Sequence, residues 1–232
     1  MAAIGRTRTA LLAVAVGATS AAGTAYAASS EPLSSPALAL SIDRDATVEI
    51  RRAPGSRTLA RARWKTTFGS PRRLRVVERR GNWFAVESDV LGNGVVGWVP
   101  RTAAVRLHRL GTSVEADLSE RLVTLRVDGR VVFRRRVSVG SGSTPTPIGR
   151  FHVTDQISGK RWGLGCCIVV LSGTQPRLPA GWGGGDRLAI HGASTDSERI
   201  GTPVSAGCLH ATEQTLRALS SLPLGTPVVI HP

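Results

Sequence analysis

Short apolar runs separated by polar or glycine-containing turns dominate this chain from about Thr47 onward. Leu74-Arg75-Val76-Val77-Glu78 and Trp83-Phe84-Ala85-Val86-Glu87 flank Arg79-Arg80-Gly81-Asn82, and Val95-Val96-Gly97-Trp98-Val99-Pro100 follows. Runs of this length, rich in Val, Phe and Trp, predict strands joined by tight turns. Their density between Thr47 and Leu107 predicts a small barrel. Further on, Leu122–Val127 and Val131–Arg134 flank Asp128-Gly129, a residue pair favoured in two-residue hairpin turns. Val137–Gly140, Phe151–Thr154 and a closing Gly225–Ile230 read as more strands, and Leu188-Ala189-Ile190 runs into His191 at a strand end. One helix is predicted, from Thr212 to Ser221, with Thr212 as N-cap, Leu216 and Leu219 on one face and Pro223 beyond its end. The fold class expected is mainly β.

The first 27 residues stand apart from this pattern. Arg6 and Arg8 precede an apolar run from Leu11 to Gly17, and Ala25-Tyr26-Ala27 is a small-x-small cleavage signal. Together they predict a secretory signal peptide, too short in its apolar part to span a bilayer. Residues 28–40 are rich in Ser, Pro and Ala without a period and read as a linker. That leaves a β domain over 41–108 and a second, mostly β domain over 109–232. With 41% of 232 residues hydrophobic, two small cores are within reach. No later segment is apolar enough for a membrane span, so a secreted protein acting outside the cytoplasm is expected.

Charge and cysteine content narrow the chemistry. The formal charge is +14, or +12 without Arg6 and Arg8, and Lys65 and Lys160 are the only lysines. Such a surface favours polyanions. Export turns the expected partners from nucleic acid to anionic lipids and acidic cell-wall polymers, although arginine enrichment also follows from genome composition. Cys166, Cys167 and Cys208 are an odd number for an oxidising compartment, so one thiol stays free or pairs between chains. Adjacent Cα atoms lie ~3.8 Å apart, short of the usual disulfide span of roughly 4.4–6.8 Å, which makes a Cys166–Cys167 bridge strained but not impossible. No Cys-x-x-Cys or His-Glu-x-x-His pattern points to zinc, and no cofactor is expected.

Cys208 lies in Ser205-Ala206-Gly207-Cys208-Leu209-His210, just before the predicted helix, with His191-Gly192 upstream. Backbone amides and the positive helix end would favour thiolate there, Gly207 leaves room for an acyl group, and His191 would exchange the proton. That describes acyl transfer through a thioester. The bland alternative is an inert buried cysteine beside a hydrogen-bonded core histidine. Gly92–Gly97 satisfies G-x-G-x-x-G, but a β-like run ended by Pro100 follows it where a dinucleotide site needs a helix, so a hairpin loop is expected. His108, His152 and His231 read as surface or hydrogen-bonded core positions. Trp162 precedes and Trp182 lies within a Gly-rich stretch, 181–185, expected as a surface loop with a mobile flap as the alternative. Cys166 and Cys167 read as structural.

Val48-x-Ile50-Arg51, Gly81-Asn82-Trp83-x-x-Val86 and Gly97-Trp98-Val99 resemble a bacterial SH3-like domain, a module that binds cell-wall peptides or acts as a spacer. Val139-Gly140, Thr144-Pro145-Thr146-Pro147-Ile148-Gly149-Arg150-Phe151, His191-Gly192, Ser205-Ala206-Gly207-Cys208-Leu209 and Gly225-Thr226-Pro227-Val228-x-Ile230 resemble, in this order, the L,D-transpeptidase (YkuD) family. The resemblance covers about Thr112 to Ile230 and implies a β-sandwich-like catalytic domain with one main helix after the cysteine. It implies Cys208 as nucleophile on the bond between a meso-diaminopimelate-type residue and the terminal D-alanine of a peptidoglycan tetrapeptide stem. His191 would be the general base, and the Gly207 and Cys208 amides the oxyanion site. Ser205 and Gly192 would shape the pocket, Ser205 by helping to orient His191. The family usually carries Arg, sometimes Asn, where this chain has His210, and imidazole lacks the bidentate fork of arginine; substrate contact is carried onto His210. The position of Ala206 is often His in the family. Papain-like peptidases place Cys before His, sortases need a Thr-Leu-x-Thr-Cys motif and a following arginine, and Ser-x-x-Lys is absent. The alternatives left are an L,D-carboxypeptidase using the same thioester and a non-catalytic wall-binding protein.

Overall fold

The computed structural model describes residues 36–178, 181, 183, 185–193 and 200–232. The predicted signal peptide, most of the predicted linker and Trp182 lie outside the described residues. Strands β1 (Ala37–Ile42), β2 (Thr47–Arg51), β3 (Thr58–Arg63), β4 (Arg73–Arg80), β5 (Trp83–Glu87), β6 (Gly97–Pro100) and β7 (Val105–Leu110) form one sheet. Their spatial order is β3-β2-β6-β5-β4-β1-β7, with the sheet curled around Leu40, Ile50, Leu74, Val86 and Val99, all fully buried.

The linker expected to reach Leu40 ends sooner. Ala37-Leu38-Ala39-Leu40 is the start of β1, pairing with β4 on one side and β7 on the other. A period-two alternation was present there, masked by Ser/Pro/Ala composition, and the sheet supplies the partners that make it a central strand. The Gly92–Gly97 loop runs directly into β6 with no helix, as expected for a turn.

A single residue, Gly111, separates β7 from β8 (Thr112–Asp117). Next come β9 (Leu122–Val127), β10 (Arg130–Arg136), β11 (Val139–Gly140), β12 (Gly149–Ile157) and β13 (Ile168–Thr174). They are followed by β14 (Arg187–His191), β15 (Pro203–Ser205), β16 (Leu209–His210), helix α1 (Glu213–Leu219) and β17 (Pro227–His231). Eight of these form a second sheet ordered β10-β9-β8-β17-β12-β13-β14-β16, and β11 pairs with β15 in parallel. The fold is mainly β with one α-helix among the described residues. Asp128 and Gly129 both take positive φ, +48° and +76°, the mirror-image turn that fits the twist of the β9–β10 hairpin. Helix α1 is too short to be stable alone. The Thr212 hydroxyl caps it by accepting from Thr215 N–H, and Leu216 and Leu219 are fully buried, each contributing about 1.5–3 kcal/mol.

The two sheets meet across polar contacts. The Thr66 hydroxyl donates to the buried Asp155 carboxylate. The Asn93 side chain imitates a strand partner, donating to Thr174 O (2.7 Å) and accepting from Thr174 N–H (2.9 Å). Arg187 donates to the carbonyls of Asp89 (3.2 Å) and Ser172 (2.8 Å). Asp89 also forms a buried two-pronged ion pair with Arg72, at 2.8 and 3.0 Å. Burial alone would raise the Asp89 carboxyl, but the Arg72 hydrogen bonds and charge outweigh it and hold the carboxyl below its ordinary value.

His152 is fully buried and donates through Nε2 to Arg73 O at 3.0 Å. Burial lowers its pKa from 6.5 to about 4, with the Asp89 charge pulling the other way. As pH falls, the unfolded chain therefore takes up this proton before the folded one does. The contribution is intact above pH 6.5 and is lost as pH falls towards 4, amounting to about 3 kcal/mol. Urea unfolding at pH 7 and pH 4.5 is expected to give a steeper acid loss of stability in the wild type than in His152→Gln, whose amide keeps the donor without titrating. Equal slopes in the two proteins would contradict this.

Candidate active site

The geometry begins with a two-residue strand pairing. β16 runs parallel to β14, setting Ile190 beside Leu209 and His191 beside His210. Alternation along β14 sends Leu188 and Ile190 into the main core, and Ala189 and His191 to the other face. On that face Ile168, Val170 and Ala189 make a small apolar floor, and Cys208 packs against it. The register thus brings the two residues with nucleophilic and basic side chains to one face. The His191 and His210 rings lie 4.6 Å apart between centroids, tilted by 43°, and both residues are buried.

The His191 tautomer follows from its partner. Nδ1 lies 2.6 Å from Gly192 O, and a carbonyl only accepts, so Nδ1 carries the proton. In the neutral ring Nε2 is then the basic nitrogen. Gly192 is glycine for a packing reason: its N–H donates to Leu164 O (2.8 Å), and a Cβ there would lie 3.0 Å from the backbone of Leu164 and Gly165. The Leu164–Cys167 loop is tied in turn to the helix, since Cys166 N–H donates to the Glu213 carboxylate at 2.7 Å. Cys166 and Cys167 are bonded to each other in a vicinal disulfide, which leaves Cys208 as the free thiol.

Three expectations change. The thiol gains nothing from a helix terminus, because β16 and the Thr212 cap separate Cys208 from α1. Burial instead pushes the Cys208 thiol pKa up, with a hydrogen bond from the Ala189 backbone working in the other direction. Among the described residues Ser205 makes no hydrogen bond to His191. Its hydroxyl accepts from Gly207 N–H (3.1 Å) and donates to Cys208 O (2.6 Å), closing its own loop. The Gly207 amide is therefore engaged rather than presented as an oxyanion donor. Cys208 N–H donates to no protein group among the described residues. The sequence placed a third residue, His210, as a substrate contact; the structure gives its ring a neighbour in His191.

The Thr-Pro-Thr-Pro segment acts by holding the cysteine loop. Ser141 N–H (2.9 Å) and the Thr144 hydroxyl (3.0 Å) both donate to Ser205 O, while the Thr146 hydroxyl accepts from Gly140 N–H at 2.8 Å. Gln175, which no motif marked, lies buried between this segment and the cysteine loop. Among the described residues no group of three His, Cys, Asp or Glu side chains converges to hold a metal ion. The site is thus a half-buried thiol and an oriented imidazole on one sheet face, an arrangement suited to nucleophilic acyl chemistry.

The L,D-transpeptidase catalytic domain family, YkuD, matches residues 111–230, and the chain belongs to this family. Among solved structures it resembles an L,D-transpeptidase of Enterococcus faecium (21% identity, 52% of this chain and 50% of that one, TM-score 0.40). It also resembles L,D-transpeptidase 3 of Mycobacterium tuberculosis in complex with a faropenem-derived adduct (19%, 59% and 73%, 0.41). A third is an L,D-transpeptidase of Mycobacterium smegmatis (18%, 68% and 82%, 0.42). The chain spans half the length of the Enterococcus faecium protein. No curated protein matches the sequence.

A raised thiol pKa makes a direct prediction. Alkylation of Cys208 by iodoacetamide at pH 7 is expected to be slower than that of a free cysteine, whose pKa is ~8.5, and to accelerate only above that range. A fast rate that stays level below pH 7 would mean that the resting site holds a thiolate–imidazolium pair.

Proposed function

We propose that this protein is a cysteine L,D-transpeptidase acting on peptidoglycan stems outside the cytoplasm. The observation that carries the reading is the β14–β16 register, which places Cys208 and His191 on one face with the imidazole held by Gly192 O. His191 Nε2 takes the Cys208 thiol proton as sulfur attacks the carbonyl that precedes the terminal D-alanine of a tetrapeptide stem. The oxyanion that forms is met by Cys208 N–H. The C–N bond then breaks, D-alanine leaves with the proton returned by the imidazolium, and a thioester remains on sulfur. A side-chain amine of a second stem attacks that thioester, gives up a proton to His191, and expels Cys208 as product amide forms.

His210 flanks the base and is assigned to the substrate-facing part of the pocket together with Gly192. The first sheet is assigned to an SH3-like module that serves as a spacer or binds the wall, and the arginine-rich surface to acidic wall polymers. If water takes the place of the amine, the same thioester makes an L,D-carboxypeptidase.

With purified disaccharide-tetrapeptide, the wild type is expected to release D-alanine and form a dimer. Cys208→Ala and His191→Ala are expected to lose at least ~1000-fold of the D-alanine release while keeping the wild-type melting temperature. Tripeptide without dimer would reassign the protein as a carboxypeptidase. Turnover retained in Cys208→Ala would overturn the mechanism, and a wild type that releases no D-alanine would favour a wall-binding role.

A further inference from the structure

We infer that Gln175 is the positioning residue of the cysteine loop, and that it fixes which backbone amide meets the oxyanion; this rests on the acyl-transfer reading above. Gln175 is 6% exposed and follows directly on β13. Its side-chain amino group faces three carbonyls on two separate loops: Pro145 O at 2.9 Å, Ala206 O at 3.2 Å and Thr144 O at 3.4 Å. Its Oε1 accepts from Arg177 N–H at 3.0 Å, so both ends of the amide are occupied and its orientation is determined.

The consequence lies in the peptide between Ala206 and Gly207. Its carbonyl accepts from Gln175 and its N–H donates to Ser205 Oγ, so that plane is held from both sides. The carbonyl of Cys208 is held too, by the Ser205 hydroxyl. Two N–H groups of the turn, those of Ala206 and Cys208, donate to no protein group among the described residues, and the Cys208 one belongs to the residue that carries the sulfur. Gln175 also explains the glycine of the Ser-Ala-Gly-Cys string. A Cβ on Gly207 would lie 2.0 Å from Gln175 Nε2, and Gly207 takes φ +121°, a conformation other residues rarely adopt. Gly207 is thus required by the clamp beneath the loop as well as by access to sulfur. The clamp itself is anchored from the first sheet, because Asn93 pairs with both backbone groups of Thr174, the residue before Gln175.

The test uses the full chain with Gln175→Glu, which turns a carboxylate towards the carbonyls, and Gln175→Met, which keeps the length and removes the donor. The rate of D-alanine release in a single turnover is expected to fall about 100-fold in both, with KM within about threefold. Iodoacetamide alkylation of Cys208 at pH 9 is expected to stay within about twofold of wild type, because the thiol and its floor are untouched. Hydrogen exchange over 203–210 is expected to quicken. Unchanged single-turnover rates alongside an active wild type would overturn the role of Gln175 and leave the transpeptidase reading standing. Acylation and alkylation falling together would reduce Gln175 to a packing residue. A wild type that never acylates would remove the oxyanion role with the transpeptidase reading, and unchanged exchange over 203–210 would overturn the positioning itself.

Discussion

A two-residue parallel pairing holds this site together. Leu209 and His210 join the edge of the second sheet only through β14, and every geometric relation among Cys208, His191 and His210 follows from that register. So short a strand has little stability of its own. It is held by Ala211 N–H on His191 O (2.8 Å) and by a reciprocal bridge in which His210 and Ser138 exchange both backbone bonds, at 2.8 and 3.0 Å. Leu209 is fixed in the main core, where it is 1% exposed. A slip of one residue would exchange Leu209 and His210 between the core face and the site face, which the core does not tolerate. Burial of one leucine therefore contributes directly to the aim of the thiol.

Burial has a chemical cost at the same place. The apolar floor that seats Cys208 raises its pKa, so on the proposed mechanism thiolate is made by a base when substrate is present rather than stored. The Nδ1 donation to Gly192 O fixes the His191 tautomer, which leaves Nε2 as the basic nitrogen that this mechanism calls for. Ser205, Thr144, Ser141 and Gln175 together bond the carbonyls of Ser205, Ala206 and Cys208 and the N–H of Gly207. Preorganisation of this kind suits a reaction whose charge develops on one oxygen.

What the sequence made legible was local. The Asp128-Gly129 turn, the Thr212 cap and the strand leading into His191 depend on neighbours a few residues away, and each is where periodicity and turn chemistry placed it. Motif spacing singled out Cys208 and His191, because their chemistry is carried by residue type, and the structure sets them on one sheet face. Gln175 left no trace, since its partners lie 30 and 31 residues away along the chain and nothing about a lone glutamine after a strand marks it. Asn93 was read correctly as part of a turn, yet its docking on Thr174 needed the second sheet to be in place. Ser205 was expected to help orient His191 and instead bonds within its own loop, to Gly207 N–H and Cys208 O, a choice of partner that composition cannot make.

The central claim is that Cys208 carries the acyl group. Intact-mass spectrometry after acid quench, within the first turnover on a disaccharide-tetrapeptide, tests it most directly. The account predicts an adduct equal to the donor less D-alanine, mapped by proteolysis to the peptide containing Cys208 and released by hydroxylamine as a thioester. An unmodified Cys208 during active turnover, or an adduct on another residue, would contradict it.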